Sequence, residues 1–597
     1  MANNNSFSQP TWWKESVIYQ VYPASFKSTT SSGWGDLKGI TSKLDHIHSL
    51  GANIVWSSPF CKSPQKDMGY DISDYCDVDP TYGTLEDADE LIRELKKRDM
   101  RLMIDLVVNH TSDQHAWFLE SKQGKGSKKR DWYIWRPARI DEKTGERMPP
   151  NNWSMILGEK DSAWTWDEES GEYYLSLFTP YQPDLNWGNP EVRHAVHDVL
   201  RFWLDRGACG FRMDVINLIS KVPEYPDGAV VAPDHKYQPG FKYFANGPRL
   251  HEYLHEMNRE VLSKYDAACV GEMPFVRDED EILRIVHPDR QELNMIFQFE
   301  LVDVDNIPGS YRMTLYDWKR SEIRRILGHQ QKMMQERGGW NSVFIENHDN
   351  PRSVSRYTDD SDAYRELGAK LLALMMTTLS GTLFVYQGQE LGIKNFPADM
   401  NPEDYMEDVE AINYWKKMQM MHPNDANAME HAKKVVHTKS RDHARTPMPW
   451  TSEKPNAGFA SADVKPWMKL MPDYATVNAE AQRGDDKDDH LSIFQFWKRG
   501  LANRQEHKVA FVYGEFEFLG NADDEEDPIF AYTKTGGDEK WAVVLNFSPE
   551  ERTWPVPKGL NVSQWVAGNY VKGKPEKATS GSVTLRPWEG VLGQCSK

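Results

Sequence analysis

Short apolar runs and segments of helical spacing alternate along most of the chain. Val17 to Pro23 (VIYQVYP) reads as a strand, and Ile40, Leu44, Ile47 and Leu50 recur at a helical period ended by Gly51. Asn53 to Pro59 is again strand-like. Leu85 to Met100 is a charged amphipathic helix with Leu91, Ile92 and Leu95 inward, and Arg101 to Val108 follows as an apolar run carrying one acid, Asp105. Strand, helix, strand, helix, strand predicts a parallel sheet.

From about Thr111 to Asn186 the alternation lapses into sequence rich in Trp, Gly, Pro and charge, which predicts an inserted irregular subdomain. Its basic run KQGKGSKKR (Lys122 to Arg130) reads as a solvated loop. Alternation resumes with a helix over Val192 to Leu204 and a strand over Gly210 to Ile216. Leu250 to Tyr265 predicts a helix, Ala267 to Met273 and Met295 to Phe299 strands, and Trp318 to Met334 a helix. Ser342 to His348, the apolar helix Tyr364 to Leu379 and Thr382 to Gly388 complete about eight strand–helix units, the number that closes a (β/α)8 TIM barrel. An excursion from Glu390 to about Asp489 precedes a last helix near Leu491 to Leu501. Beyond Val512, short alternating segments separated by Gly, Pro and Asn predict a C-terminal antiparallel β-sandwich, with the acidic ADDEEDP (Ala522 to Pro528) as a solvated loop. The expected domains are a barrel over 1–110 and 187–511, an insertion over 111–186 and a sandwich over 512–597.

Composition narrows the partners. The 597 residues carry 71 basic against 90 acidic side chains, a formal charge of −19 that disfavours nucleic acid and anionic membrane. The polar N-terminus MANNNSFSQPTWWKES lacks the pattern of a secretory signal, and no stretch is apolar enough to span a bilayer. Five scattered cysteines without CxxC spacing fit reduced thiols, so a cytoplasmic protein with idle sequons at Asn109, Asn152, Asn546 and Asn561 is expected. The 22 Trp and 25 Tyr suit sugar binding and a large aromatic core equally.

In such a barrel the polar residues that close apolar strands are the informative ones. Asp105, Asn109 and His110 close the third strand, Arg212 and Asp214 lie on the fourth, Glu272 closes the fifth, and Glu346, His348 and Asp349 close the seventh. Any one acid alone is more often a helix cap or salt-bridge partner than a catalyst. Several carboxylates converging on one pocket, with no Cys/His metal cluster and no phosphate loop, point to glycoside hydrolysis, in which one acid attacks or stabilises and another protonates the leaving oxygen.

DLVVNH (105–110), GFRMDVIN (210–217), VGEM (270–273) and ENHDNPR (346–352) resemble the four sequence regions of family 13 glycoside hydrolases, the α-amylase superfamily. GANIVWSSPF at Gly51, QPDLN at Gln182, GTLFVYQGQELG at Gly381 and RDHARTPMPW at Arg441 extend the resemblance over nearly the whole chain, and the last three resemble the oligo-1,6-glucosidase and α-glucosidase branch. The resemblance implies Asp214 as nucleophile, Glu272 as general acid/base and Asp349 as the third carboxylate, in a retaining mechanism whose carboxyl pair sits about 5–5.5 Å apart. Glu272 is then expected protonated through burial and neighbouring acids, and Arg212 is expected to hold Asp214 ionised, a role compatible with a plain buried ion pair to Asp105. His110 and His348 would donate to sugar hydroxyls, and Tyr70 in MGYDISDY resembles a platform under the reacting ring. Asp67 with either Arg441 or Arg445 resembles the pair that grips the terminal 4-hydroxyl, and Phe178 and Gln182 are candidate wall residues.

The loop SFKSTTSSGWGDLKGI departs from the calcium loops of many relatives because Asp36 is its only acid, so no metal is expected there. No cofactor is expected. Val215 after the nucleophile goes, in the resembling branch, with tolerance of α-1,6 bonds, where Thr goes with α-1,4. The expected activity is exo-acting release of glucose from short α-glucosides, leaning to isomaltose-type substrates with maltose possible, by a monomer or homodimer. A transglucosylase or sucrose isomerase on the same scaffold is the alternative, although the Arg-rich loop of isomerases is not visible in NPRSVSRYTDD after Asp349. A non-catalytic transporter-associated scaffold is disfavoured by the retained acids, and a metal-dependent hydrolase by the missing His/Cys ligands.

Overall fold

The computed structural model describes residues 10–596 apart from 159–160, 234, 308–311, 485, 488–489, 522–523, 571–574, 576 and 579–580. The polar sequence before residue 10, two residues of the acidic loop at 522–528 and part of 485–489 lie outside the described residues.

The fold is organised around eight strands: β1 (Val17–Val21), β2 (Ile54–Ser57), β3 (Arg101–Val107), β4 (Gly210–Asp214), β5 (Ala268–Glu272), β6 (Met295–Phe297), β7 (Ser342–Val343) and β8 (Thr382–Tyr386). They lie in the order β6-β5-β4-β3-β2-β1-β8-β7, and every pairing is parallel. Between β6 and β7 side chains bridge the seam: Ser342 Oγ donates to the Ile296 carbonyl at 2.6 Å and Gln298 Nε2 to Asn341 Oδ1 at 3.3 Å. Strands covered on both faces are buried throughout and mostly apolar, which is why β1, β2 and β8 read as continuous runs rather than alternations. Trp56, Phe297, Phe344 and Phe384 interlock with ring centroids 4.7 to 6.3 Å apart and fill the interior, so the barrel is a packed core.

Local chemistry sets where each strand begins. The helix Pro190–Arg206 starts on an Asn189 cap with Pro at its first position and stops at Gly207, whose φ of 108° only glycine adopts freely. Three residues on, Gly210 opens β4 with its α-carbon pressed on β5; a β-carbon there would lie 1.8 Å from the Ala268 carbonyl oxygen. This close approach brings the ends of β4 and β5, which carry Asp214 and Glu272, side by side.

Several elements differ from the sequence expectation. The helix expected over Ile40 to Leu50 is two, Leu37–Ser42 and Leu44–Leu50, broken at Lys43. The helix from Leu250 ends at Glu260, with a 3-10 turn at Leu262–Lys264. Strand β7 spans two residues rather than seven, because its backbone pairs only with β8; the stretch from Phe344 leaves the sheet and carries His348 and Asp349 as loop residues.

Residues 111–186 are more regular than the composition implied. They hold a helix, Ala116–Ser121, and a three-stranded antiparallel sheet of Trp135–Arg136, Glu172–Leu175 and Trp164–Asp167. The basic run is tied to that sheet, Lys122 pairing with Asp167 and Lys125 and Arg130 with Glu172. The excursion after β8 contains a helical hairpin, Val409–Met421 and Ala426–Lys439, packed through Ala411, Trp415, Val435 and Val436. The C-terminal region stacks a five-stranded antiparallel sheet on a three-stranded one around Ile529, Val544, Trp554, Val583 and Leu585. No helix among the described residues is long and apolar enough to cross a membrane.

Candidate active site

The strand ends converge on one guanidinium. Arg212, 1% exposed, places Nη1 at 2.8 Å from Asp105 and 2.7 Å from Asp214, and Nη2 at 2.7 Å from Glu272. Residues two apart on β4 face the same side, so Arg212 and Asp214 point together into the mouth of the barrel. Asp105 is fixed further by Trp56 Nε1 and the Tyr70 hydroxyl, both at 3.2 Å. Asp214 and Glu272 thus sit on the two Nη atoms of one guanidinium, and the Val215 N–H donates to Glu272 Oε2 at 3.1 Å.

That last donation comes from a strained residue. Val215 has φ 35° and ψ 42°, a left-handed conformation that β-branched side chains avoid. Such conformations persist only where the surroundings impose them, and they cluster at working sites. The turn sends the chain sharply off β4 and aims the amide at Glu272; nothing in the sequence signals it.

Burial raises all three acids of this cluster, and the charges they present to one another add to it. Asp105 is pushed up to about 6, Glu272 is raised with Asp349 contributing, and Asp214 is raised well above the usual carboxylate range despite Arg212. The expectation that Arg212 keeps Asp214 ionised therefore needs correction: one cation divided among three buried acids does not offset their desolvation, and both Asp214 and Glu272 are shifted toward the protonated form. Asp349 behaves oppositely. Burial would raise it, but His348, Arg441, Arg445 and Arg212 together hold it well below the usual carboxylate range.

The arginines divide their work. Arg445 donates to Asp349 at 2.9 Å and to the His348 carbonyl at 3.0 Å. Arg441 reaches Asp349 at 3.4 Å and Asp67 at 3.9 Å, so of the two it is Arg441 that faces Asp67. Its main partner is Asp408, at 2.7 Å, which the sequence reading missed. Asp408 is also the N-cap of the hairpin helix Val409–Met421, and an isolated Asp before a helix reads as a cap and nothing more.

Around these groups, His348 is fully buried, with Nδ1 at 2.8 Å from Gln20 Nε2 and Nε2 at 2.5 Å from the Tyr70 hydroxyl and 3.0 Å from Asp349. Gln20, also unforeseen, lies inside an apolar strand. His110 Nε2 sits 3.0 Å from the Tyr70 carbonyl and 3.2 Å from Gln182 Nε2, with the Phe178 ring 4.9 Å away. Burial pushes His110 down to about 4 and His348 to about 3, so both rings are neutral at physiological pH. Gln182 also donates to Asp67 at 3.0 Å. Asn109 is set back from the carboxylates; it bonds Asp184 and Lys221, which pair with each other at 3.0 Å and tie the insertion to β3. Glu346 stands apart, committed to Arg352 and to Ser353.

No group of three or more His, Cys, Asp or Glu suited to a metal ion occurs among the described residues. In the loop after β1, Asp36 accepts from the Thr29 and Gly39 amides at 2.7 Å each and caps the helix Leu37–Ser42.

The model of the alpha amylase catalytic domain matches residues 20–514. The chain belongs to the α-amylase family of glycoside hydrolases. Within this family it is 47% identical over 585 residues to an alpha-glucosidase of Schizosaccharomyces pombe, with 98% of each chain covered. An oligo-1,6-glucosidase of Parageobacillus thermoglucosidasius is 43% identical over 583 residues, covering 97% of this chain and 98% of that one. Among solved structures of α-amylase-family architecture, isomaltulose synthase from Erwinia rhapontici NX5 superposes with a TM-score of 0.89 at 39% identity, covering 99% of this chain and 100% of that one. Bacillus licheniformis trehalose-6-phosphate hydrolase gives 0.87 at 38%, covering 98% and 100%.

Proposed function

We propose that the protein is an exo-acting, retaining α-glucosidase that releases glucose from the non-reducing end of short α-glucosides. The observation that carries this reading is the pairing of Asp214 and Glu272 with the two ends of a single guanidinium, each at 2.7 Å, which holds the two carboxyls close together. An inverting pair keeps its carboxyls apart to admit water between them, whereas a retaining pair is close. Asp214 attacks the anomeric carbon, Glu272 protonates the departing oxygen, and the β-glucosyl-enzyme is then hydrolysed by water that Glu272 deprotonates. Glu272, its carboxyl raised by burial and by Asp349, carries the proton that the leaving oxygen needs. Asp349, kept ionised by its two arginines, binds hydroxyls of the reacting ring and favours its oxocarbenium character.

Exo action is supported by Asp67, Arg441 and Asp408, which form a charged wall at one end of the site. His110, His348, Gln182 and Tyr70 complete the enclosure of one glucosyl unit, with Phe178 against His110. Val215 inclines the specificity to α-1,6 bonds, in keeping with the oligo-1,6-glucosidase relatives, while the alpha-glucosidase relatives keep maltose within range. A cytoplasmic setting belongs to the same reading and is supported by five cysteines, none of them bridged. The assembly is read as a monomer or homodimer.

Incubation with maltose, isomaltose, nigerose and sucrose, with products identified and their anomeric form followed by NMR, tests the proposal. Glucose released first as the α-anomer is expected; β-glucose, or no glucose from any of them, overturns it. A sucrose-isomerase reading draws on the isomaltulose synthases among the structural neighbours, and isomerised sucrose as the main product would favour it.

A further inference from the structure

Three residues beyond Glu272, Phe275 takes a φ of 68° and leaves its side chain 41% exposed. Both features run against elementary preference. A bulky aromatic residue disfavours the left-handed region, and an exposed phenyl ring gains nothing from burial. The turn is nevertheless fixed: Asn217, from the segment that follows Val215, donates through Nδ2 to the Pro274 carbonyl at 2.6 Å. The ring is fixed too. It stacks on Phe241 with centroids 5.2 Å apart and planes 13° from parallel, and meets the edge of Phe244 at 6.3 Å.

Phe244 belongs to the same apolar cluster as Val215, against which Phe178 and Phe241 also pack. Apolar contacts therefore connect the residue beside the nucleophile, through Phe244 and Phe241, to the exposed Phe275 ring. Of the two reacting acids, Glu272 serves the leaving group, and Phe275 continues from it.

We propose that Phe275, backed by Phe241, is a stacking platform for the leaving-group side of the substrate, taking the sugar or aryl ring beyond the bond that is cut. This rests on the α-glucosidase reading and adds to it a binding position for the aglycone. The face of a pyranose ring presents C–H groups of slight positive character, which suit the electron-rich face of an aromatic ring. A ring already held by its neighbours loses little freedom when a sugar settles on it.

The test is steady-state kinetics on Phe275→Gly and Phe275→Tyr with three α-glucosides: methyl α-glucoside, whose aglycone is too small to reach the platform, p-nitrophenyl α-glucoside, and a trisaccharide. Glycine removes the ring at a position whose φ it adopts freely, so the turn and the unfolding temperature are retained. In Phe275→Gly, KM for the aryl glucoside and the trisaccharide is expected to rise about five- to tenfold, as one aromatic contact is worth, with kcat little altered. With methyl α-glucoside the change stays below about twofold, and Phe275→Tyr restores the low KM. Equal losses on all three substrates would assign the turn to the positioning of Glu272 and overturn the platform; so would constants that do not move. A wild type that cleaves none of the three would instead remove the α-glucosidase reading on which the proposal stands.

Discussion

Replacing Arg212 by Gln removes the one cation shared by Asp105, Asp214 and Glu272 and puts a shorter, neutral polar side chain in its place. Arg212 is buried and lies within 2.8 Å of all three acids. An arginine in contact lowers a carboxylate pKa by about 1–3 units, so its loss raises Asp214 and Glu272 by that order. The nucleophile must be ionised to attack, so the acidic limb of kcat/KM moves to higher pH by about 1–3 units, and activity on the plateau below the new limb falls roughly tenfold per unit. The basic limb, set by the proton on Glu272, moves the same way. Truncating one partner of a buried ion pair costs about 3–5 kcal/mol when the charge must remain, but these acids escape part of that by taking up protons. The variant should therefore be least destabilised at low pH and progressively more so as pH rises. Rates on p-nitrophenyl α-glucoside between pH 4 and 9, with thermal unfolding at the same pH values, measure both effects. A uniform loss of rate with both limbs at their wild-type positions would refute the electrostatic role and leave Arg212 a positioning group.

Arg441→Ala should be costlier to the fold than Asp67→Asn, because it leaves the buried Asp408 without its guanidinium partner, a penalty of up to about 3–5 kcal/mol; Asp67→Asn should raise KM for disaccharides with little change in unfolding temperature. Similar stabilities for the two would contradict the pairing. Val215→Thr keeps the branched shape and adds a hydroxyl, and one such contact shifts kcat/KM for isomaltose relative to maltose by about 1–3 kcal/mol at most; the same ratio in both proteins would remove Val215 from the specificity argument. His251 is raised above the usual histidine range by its hydrogen bond to Glu292 at 2.8 Å, with burial opposing and Glu281 adding to it. A histidine raised on folding stabilises fully below its unfolded value of about 6.5 and loses that contribution as pH climbs through the folded value. The unfolding-temperature gap between wild type and His251→Gln should be widest in acid and close toward pH 9; a gap independent of pH would contradict it.

What the chain disclosed in advance follows from which interactions are local. Strands buried on both faces, such as Val17–Val21 and Thr382–Tyr386, and capped helices, such as Leu85–Lys96 with its Thr84–Asp87 box, declare themselves in composition and spacing. Strand β7 did not, since its length is set by how much partner strand it finds. The carboxylates stood out because acids in apolar strands are rare. Gln20 and Asp408 did not: an amide in a strand and an Asp before a helix have ordinary explanations, and only the folded chain brings them to His348 and Arg441. The choice between Arg441 and Arg445 was open for the same reason, four residues being too few to tell which one faces Asp67. The left-handed turns at Val215 and Phe275 run against the preferences of their own side chains, so no reading from propensity could anticipate them.

The most direct test of the mechanism is to trap the glycosyl-enzyme with a 5-fluoro-α-glucosyl fluoride and locate the modified residue by mass spectrometry of the digested protein. One fluoroglucosyl group per chain is expected, on the peptide containing Asp214, and none in Asp214→Asn. A label on Glu272 or Asp349, or full turnover by Asp214→Asn, would contradict it.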